Sequence, residues 1–176
     1  MAFVFANLTD EIRTLMIKEI DMDIAKGSLY LSPRFNNEGK RKYLELLKDA
    51  VKYGNEETFA SALIKNNCFN EYEIRTTKKG TIRAKVPVNA ATVLAEGEFN
   101  RYYMRALCLK VIEDNTGILV VYRAKEVSNP RQESEQKIGQ TVVPNVLLDD
   151  LRNNIGIETH IGLPAGPNSG LSVKIG

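Results

Sequence analysis

Histidine and cysteine are nearly missing from this chain, with one imidazole, His160, and two thiols, Cys68 and Cys108, in 176 residues. A structural zinc site draws on about four soft or borderline ligands, so this composition excludes one. The two cysteines are forty residues apart, without CxxC spacing and among apolar neighbours, which points to reduced core thiols rather than a disulfide. Long apolar runs are missing as well: none approaches the ~20 residues that a membrane-spanning helix needs. The opening MAFVFANLTDEIR has an apolar patch of only five residues, Ala2 to Ala6, with no base before it and acids after it. A secretory leader is therefore not expected, and synthesis in a cytoplasm is. There is no GxSxG elbow, no GK[ST] and no dinucleotide-type glycine spacing. His160, in THIG, has no serine or thiol at an obvious elbow to activate and reads as a surface or strand-end residue. No cofactor, no metal and no catalytic residue is expected, and the chain is not expected to be an enzyme.

What is present is globular composition, 43% hydrophobic and 26% charged with a net charge of +2. A chain of this length fits one domain and can bury roughly 70% of its unfolded surface. Residues 1–70 balance ten basic against ten acidic side chains, while 71–176 carry fourteen against twelve, so the whole excess lies in the second part.

Hydrophobic spacing predicts a helix over 9–26, with Ile12, Leu15, Met16, Ile20 and Ile24 on one face, Thr9 as cap and Gly27 as stop. A second helix is predicted over 37–53 and a third from Asn55, burying Phe59 and Leu63. EYEIRTT and TIRAKVPV then alternate as strands do, and Lys78-Lys79-Gly80 between them suits a short hairpin loop. Asn89 can cap a long, strongly apolar helix over 90–113, which is the expected centre of the fold. GILVVYRA reads as a strand whose run from Ile118 to Val121 is apolar enough to be buried on both faces. The polar connection KEVSNPRQESEQKIGQT, seventeen residues with one proline, is long for a loop inside a compact domain. The whole stretch 124–142 is expected to be ordered by a partner or to reach over one. Pro144 suits the first position of a last helix, and LSVKIG alternates as a terminal strand. The prediction is a single α+β domain over 1–176. It has an N-terminal helical subregion over 1–70, then a basic β-hairpin, a long central helix and a small sheet.

Three features carry charge or shape. In AEGEFNRYYMR, Glu96 and Glu98 accompany Arg101 and Arg105, and the three- and four-residue spacings let one helix face hold a carboxylate between two guanidiniums. As chemistry this would be an acid or metal ligand positioned by arginines, but a Mg²⁺ centre would want further acids on an adjacent strand, and GILVVYRAK has none. As structure it is an ion-pair network that orients the central helix or joins it to a neighbouring subunit, and this is the expectation. The hairpin over 75–85 holds five bases, Arg75, Lys78, Lys79, Arg83 and Lys85, and no acid. A basic two-stranded ribbon can contact phosphates; equally, bases on a strand protect an exposed edge, and no aromatic side chain is interleaved for base stacking. The third feature, GLPAGPNSG, combines Gly162, Gly166 and Gly170 with Pro164 and Pro167. Phosphate loops lead into a helix, whereas this loop leads into an alternating strand and loses two amide donors to proline. It is expected to be a conformational guide that delivers Leu171 to Ile175 to a sheet, of its own domain or a neighbour's.

The segments TVLAEGEFNRYYMRALC, VYRAKEVSNPRQESEQKIG and GLPAGPNSGLSV, with LYLSPRFNNEGKRKYLELL near the start, resemble a family of uncharacterised proteins carried by tailed bacteriophages and prophages and associated with the genes of the virion head. The resemblance spans most of the chain and carries no catalytic residues. It implies a structural or assembly protein of the virion, such as a minor capsid, decoration or connector component, made in the host cytoplasm. The partners implied are other virion proteins or copies of itself, with no membrane. The alternative is a phage nucleic-acid-binding or host-modulating protein that uses the hairpin 75–85.

Overall fold

The computed structural model describes residues 2–156, 159–163 and 169–176. Its elements run α1 (Asp10–Lys26), α2 (Asn37–Tyr53), α3 (Glu56–Lys65), β1 (Tyr72–Thr77), β2 (Gly80–Lys85), α4 (Ala90–Asp114), β3 (Leu119–Arg123), α5 (Gln132–Lys137), β4 (Thr141–Val142), α6 (Pro144–Asn153) and β5 (Leu171–Ile175). This is the α+β arrangement expected, with about half of the described chain helical and two small antiparallel sheets.

The first three helices start where local chemistry permits. The Thr9 hydroxyl accepts the Ile12 N–H at 3.3 Å, the Asn36 side chain accepts the Gly39 N–H at 2.8 Å, and Asn55 and Thr58 form a reciprocal capping box. Each satisfies amides that a helix N-terminus otherwise leaves without partners. Asn89 does not cap α4: its backbone is not extended (φ −94°, ψ 11°), and its side chain makes no capping bond. The turn Pro87 to Ala90, closed by the Ala90 N–H on the Pro87 carbonyl, leads into α4 instead.

α4 is the axis of the molecule. It packs against α1, α3, α6 and the β3–β5 sheet, and Ala95, Phe99, Tyr102, Tyr103, Met104, Ala106, Leu107 and Cys108 are fully buried. A helix surrounded on nearly every side needs no polar stripe, which explains the apolar run. Each large side chain fully buried here contributes about 1.5–3 kcal/mol. α2 adds Tyr43 and Leu47, and α3 adds Phe59 and Leu63, to the same core. Where the first turn of α2 meets the segment that follows α3, Gly39 lies so close to the Cys68 carbonyl that a Cβ would sit 2.1 Å from that oxygen.

The three-stranded sheet has the order β4-β3-β5, all antiparallel, with Leu119 opposite Ile175 and Arg123 opposite Leu171. β5 thus joins its own domain. The β3 run is not buried on both faces: Leu119 and Val121 are enclosed, while Ile118 is half exposed and Val120 only partly covered. The reason is that α4 lines a single face of this sheet. The connection after β3 has elements of its own. Its polar stretch contains α5 and β4, and it is tied to the chain itself by the Gly139 N–H on the Val121 carbonyl, the Val121 N–H on the Gln140 carbonyl and an Arg123–Glu135 ion pair.

The N-terminal segment lies across this region. The Val4 N–H reaches the Ala124 carbonyl at 2.7 Å, the Asn7 N–H reaches the Tyr103 hydroxyl at 3.0 Å, and the Phe5 ring packs on Phe99 and Tyr103.

Candidate functional site

Four elements meet in a charge network inside the core. Along α1 the buried face runs through Ile12, Leu15, Met16, Glu19, Ile20 and Asp23, so two carboxylates continue an apolar stripe at helical spacing. From α4, Arg105 donates Nε to Glu19 Oε2 at 2.6 Å and grips Asp23 through Nη1 at 2.7 Å and Nη2 at 2.9 Å. From α6, Arg152 Nε reaches the same Glu19 oxygen at 3.0 Å, and its Nη2 pairs with Glu19 Oε1. The Tyr102 hydroxyl donates to Asp23 at 2.8 Å. One turn earlier on α4, Arg101 pairs with Glu98, which also accepts the Tyr43 hydroxyl of α2 at 3.3 Å. Arg101 Nη1 is buried without a hydrogen-bond partner, 4.0 Å from Asp23 Oδ2.

Three carboxylates face three guanidiniums, so the cluster is neutral as a whole. Glu19, Asp23, Glu98, Arg101 and Arg105 are all under 7% exposed. Burial pushes the Glu19 carboxyl up, but hydrogen bonds and charge from Arg152 and Arg105 outweigh it and hold the pKa below the usual range. Burial acts likewise on Asp23, where Arg105, Tyr102 and Arg101 bring the value down. Burial, reinforced by the Glu98 charge, pushes the Tyr43 hydroxyl well up. Glu19 and Asp23 therefore stay ionised and acceptor-only, and they are enclosed. What such an arrangement does is lock α1, α2, α4 and α6 at one point, because each arginine fork accepts only one placement of its carboxylate.

Of the four residues expected in a network, Glu98, Arg101 and Arg105 come together and Glu96 does not. Two positions along a helix turn the side chain by roughly 200°, so Glu96 faces away and pairs with Lys125, beside the Phe3 ring. A carboxylate between two guanidiniums does occur, but it is Glu19 of α1, held between Arg105 and Arg152. Sequence reasoning missed Glu19, Asp23 and Arg152. The available signal was that 12, 16, 19 and 23 share a helical face; Ile24, assigned to that face, is instead 39% exposed.

The second candidate is the hairpin. β1 and β2 pair in register from Tyr72–Lys85 to Thr77–Gly80 and leave Lys78 and Lys79 as a two-residue turn. They form a sheet of their own, and β1 and β2 contact each other far more than any other element. Its root is held by Arg34, whose Nε lies 2.6 Å from Glu73, and by the Val86 N–H on the Glu71 carbonyl. Arg75 also pairs with Glu73 at 2.6 Å, and the Arg83 guanidinium sits 4.0 Å from the centre of the Tyr72 ring. Lys78, Lys79 and Lys85 are exposed without a salt-bridge partner among the described residues. Opposed residues share a face and neighbours alternate, so Ile74 lies on one face and Ile82 on the other. They are 71% and 49% exposed, and Val88 at the root is fully exposed.

Of the glycine-proline loop, Pro164, Gly166 and Pro167 lie outside the described residues. Gly162 and Gly170 have φ of 68° and 67°. At Gly170 the carbonyl accepts the Ala124 and Lys125 amides, and a Cβ would lie 2.1 Å from the Lys125 carbonyl oxygen. Beyond it, the buried Ser172 hydroxyl donates to Asn100 Oδ1 at 2.6 Å, and Asn100 Nδ2 donates to the Leu171 carbonyl at 2.8 Å. His160 is exposed, and its backbone N–H, like that of Ile161, is anchored on the Asp150 carboxylate.

Among the described residues no group of three or more His, Cys, Asp or Glu is placed to hold a metal ion, and no helix is long and apolar enough to cross a membrane. Comparison with protein-family models, with curated proteins and with solved structures finds no match to this chain.

Proposed function

We propose that this chain is a structural or assembly component of a bacteriophage virion, a minor capsid, decoration or connector protein made in the host cytoplasm and acting through protein–protein interfaces. The virion assignment rests on the sequence resemblance to head-associated phage proteins. The observation that carries the interface role is the projecting hairpin. A two-stranded ribbon is marginal in water by itself, and this one exposes an isoleucine on each face with Val88 at its root. A protein partner is the kind of surface that covers apolar side chains on both sides of a ribbon. The test is native mass measurement and electron microscopy of the purified protein, alone and with virion material. Stable oligomers or decorated particles are expected; a strict monomer that joins no particle overturns the proposal.

The second reading, nucleic-acid binding, is favoured by Lys78 and Lys79, which stand in the turn with no salt-bridge partner among the described residues. It expects affinity for DNA or RNA that collapses between low and moderate salt and weakens further in K78A/K79A. Absence of salt-dependent binding removes it.

A further inference from the structure

The register of the hairpin sorts its charges by face. Opposed residues share a face and neighbours along a strand alternate. The pairs Tyr72–Lys85, Ile74–Arg83 and Thr76–Thr81 therefore lie on one side, and Glu73–Ala84, Arg75–Ile82 and Thr77–Gly80 on the other. The second side holds the one carboxylate within the strands, Glu73, and both Arg34 and Arg75 are engaged with it. The first side has no acid. It carries Arg83 and Lys85, with Lys78 and Lys79 in the turn beyond, and none of the four has a salt-bridge partner among the described residues. Ile74, Thr76, Thr81, Arg83 and Lys85 are all exposed, so this side is open. At the root, just ahead of β1, the Glu71 carboxylate meets the Tyr72 hydroxyl.

We propose that the acid-free side binds duplex DNA by lying in its major groove. The inference rests on the nucleic-acid reading and names the class of ligand; the opposite side, with Ile82, stays open to a protein partner. Lys78, Lys79, Arg83 and Lys85 have no carboxylate of the described chain to neutralise them, and phosphates supply that charge. The form of the ribbon selects the duplex. Paired strands lie about 4.8 Å apart, and the major groove of B-DNA, about 12 Å wide, admits a two-stranded ribbon. The major groove of an RNA helix is too narrow and deep for side chains to read. Single strands are held largely by bases stacked on aromatic rings. The hairpin has one ring, Tyr72, and the Arg83 guanidinium already lies over it at 4.0 Å. In the groove of DNA, Arg83 and the Thr76 and Thr81 hydroxyls face base edges, Ile74 meets thymine methyls, and Lys78, Lys79 and Lys85 reach the phosphates on either side.

Fluorescence anisotropy of the full chain tests this with three labelled probes over a salt series: a short DNA duplex of mixed sequence, one of its single strands, and the RNA duplex of the same sequence. Phosphate contacts from Lys78, Lys79 and Lys85 predict that affinity for the DNA duplex falls roughly 40-fold between about 50 and about 200 mM salt. In Lys78→Ala/Lys79→Ala, where Lys85 alone remains, the fall is expected to be only roughly 3.5-fold. The DNA duplex is expected to bind more tightly than either alternative throughout. Two further variants add the same charge at adjacent exposed positions on opposite sides. Thr81→Glu, on the side that meets the groove, is expected to weaken binding at least roughly fivefold, and Ile82→Glu to leave it close to that of the parent. Equal losses in these two variants, or tighter binding of the single strand or the RNA duplex, overturn the inference and leave nucleic-acid binding standing. Absence of salt-dependent binding to all three probes overturns the nucleic-acid reading, and the inference with it.

Discussion

Replacing Arg105 by methionine puts the buried network to its most direct test. Arg105 is 0% exposed and bridges Glu19 and Asp23. Without it Glu19 keeps Arg152, but Asp23 keeps the Tyr102 hydroxyl, a long contact from the Ser28 hydroxyl at 3.4 Å and the Arg101 guanidinium at 4.0 Å. Removing one partner of a buried pair costs about 3–5 kcal/mol because the remaining charge has lost its compensation. For a domain of this size each kcal/mol lowers Tm by roughly 2–4 °C, so a fall of about 6–20 °C is expected in a thermal melt followed by circular dichroism. The acid limb moves as well. Glu19 and Asp23 have pKa values lowered by folding. Their contribution is therefore complete above the unfolded value, about 4, and is lost as pH falls through the folded value. Loss of Arg105 raises the folded value of Asp23, so Arg105→Met is expected to unfold at a higher pH than the parent. Adding Asp23→Leu removes the stranded carboxylate, and the double variant is expected to lose less than the sum of the single losses, by about 0.5–3 kcal/mol. A loss in Arg105→Met no larger than that of a surface substitution, within about 0.5 kcal/mol, would refute the view that this arginine compensates buried charge.

Two glycines give opposite expectations in one denaturant series. Gly170→Ala meets the Lys125 carbonyl in the left-handed region and is expected to cost about 1–3 kcal/mol, whereas Gly97→Ala, with open space around it inside α4, is expected to gain about 0.5–1 kcal/mol. Glu56 accepts the Phe3 N–H through one oxygen while the other is buried without a partner, and burial raises its pKa. A carboxyl with a folded pKa above its unfolded one favours the fold when protonated, so its contribution is lost as pH rises through the folded value. Glu56→Gln is expected to be at least as stable as the parent at neutral pH and to lack that decline, measured as unfolding free energy against pH. Burial pushes the Cys108 thiol up to about 12 and raises that of Cys68; neither is expected to react with an alkylating reagent at neutral pH until denaturant is added, which mass spectrometry reads directly.

The helices, the hairpin turn and the central place of α4 were legible because each depends on local spacing: a cap at Thr9, a helix start at Asn55, a two-residue turn before Gly80, and an apolar run too wide for a surface helix. The shape of 124–142 was not, since α5 has only six residues and β4 only two; such elements persist through their contacts with β3, and a short polar sequence carries no trace of those. Asn89 failed as a cap for a related reason, because capping needs an extended backbone that the Pro87 turn does not supply.

The charged residues draw the same line. That Glu98, Arg101 and Arg105 share one side of α4 follows from helical geometry alone, as does the concentration of bases in residues 75–85. Which carboxylates Arg105 meets was decided only when α1, α4 and α6 came together. Glu19 and Asp23 lie on α1 and Arg152 on α6, far from α4 in sequence, and nothing local distinguishes a carboxylate aimed at a buried guanidinium from one aimed at water. Spacing along a helix determines which side chains point the same way; what waits on that side is set by the packing of elements distant in the chain, and that packing belongs to the tertiary structure.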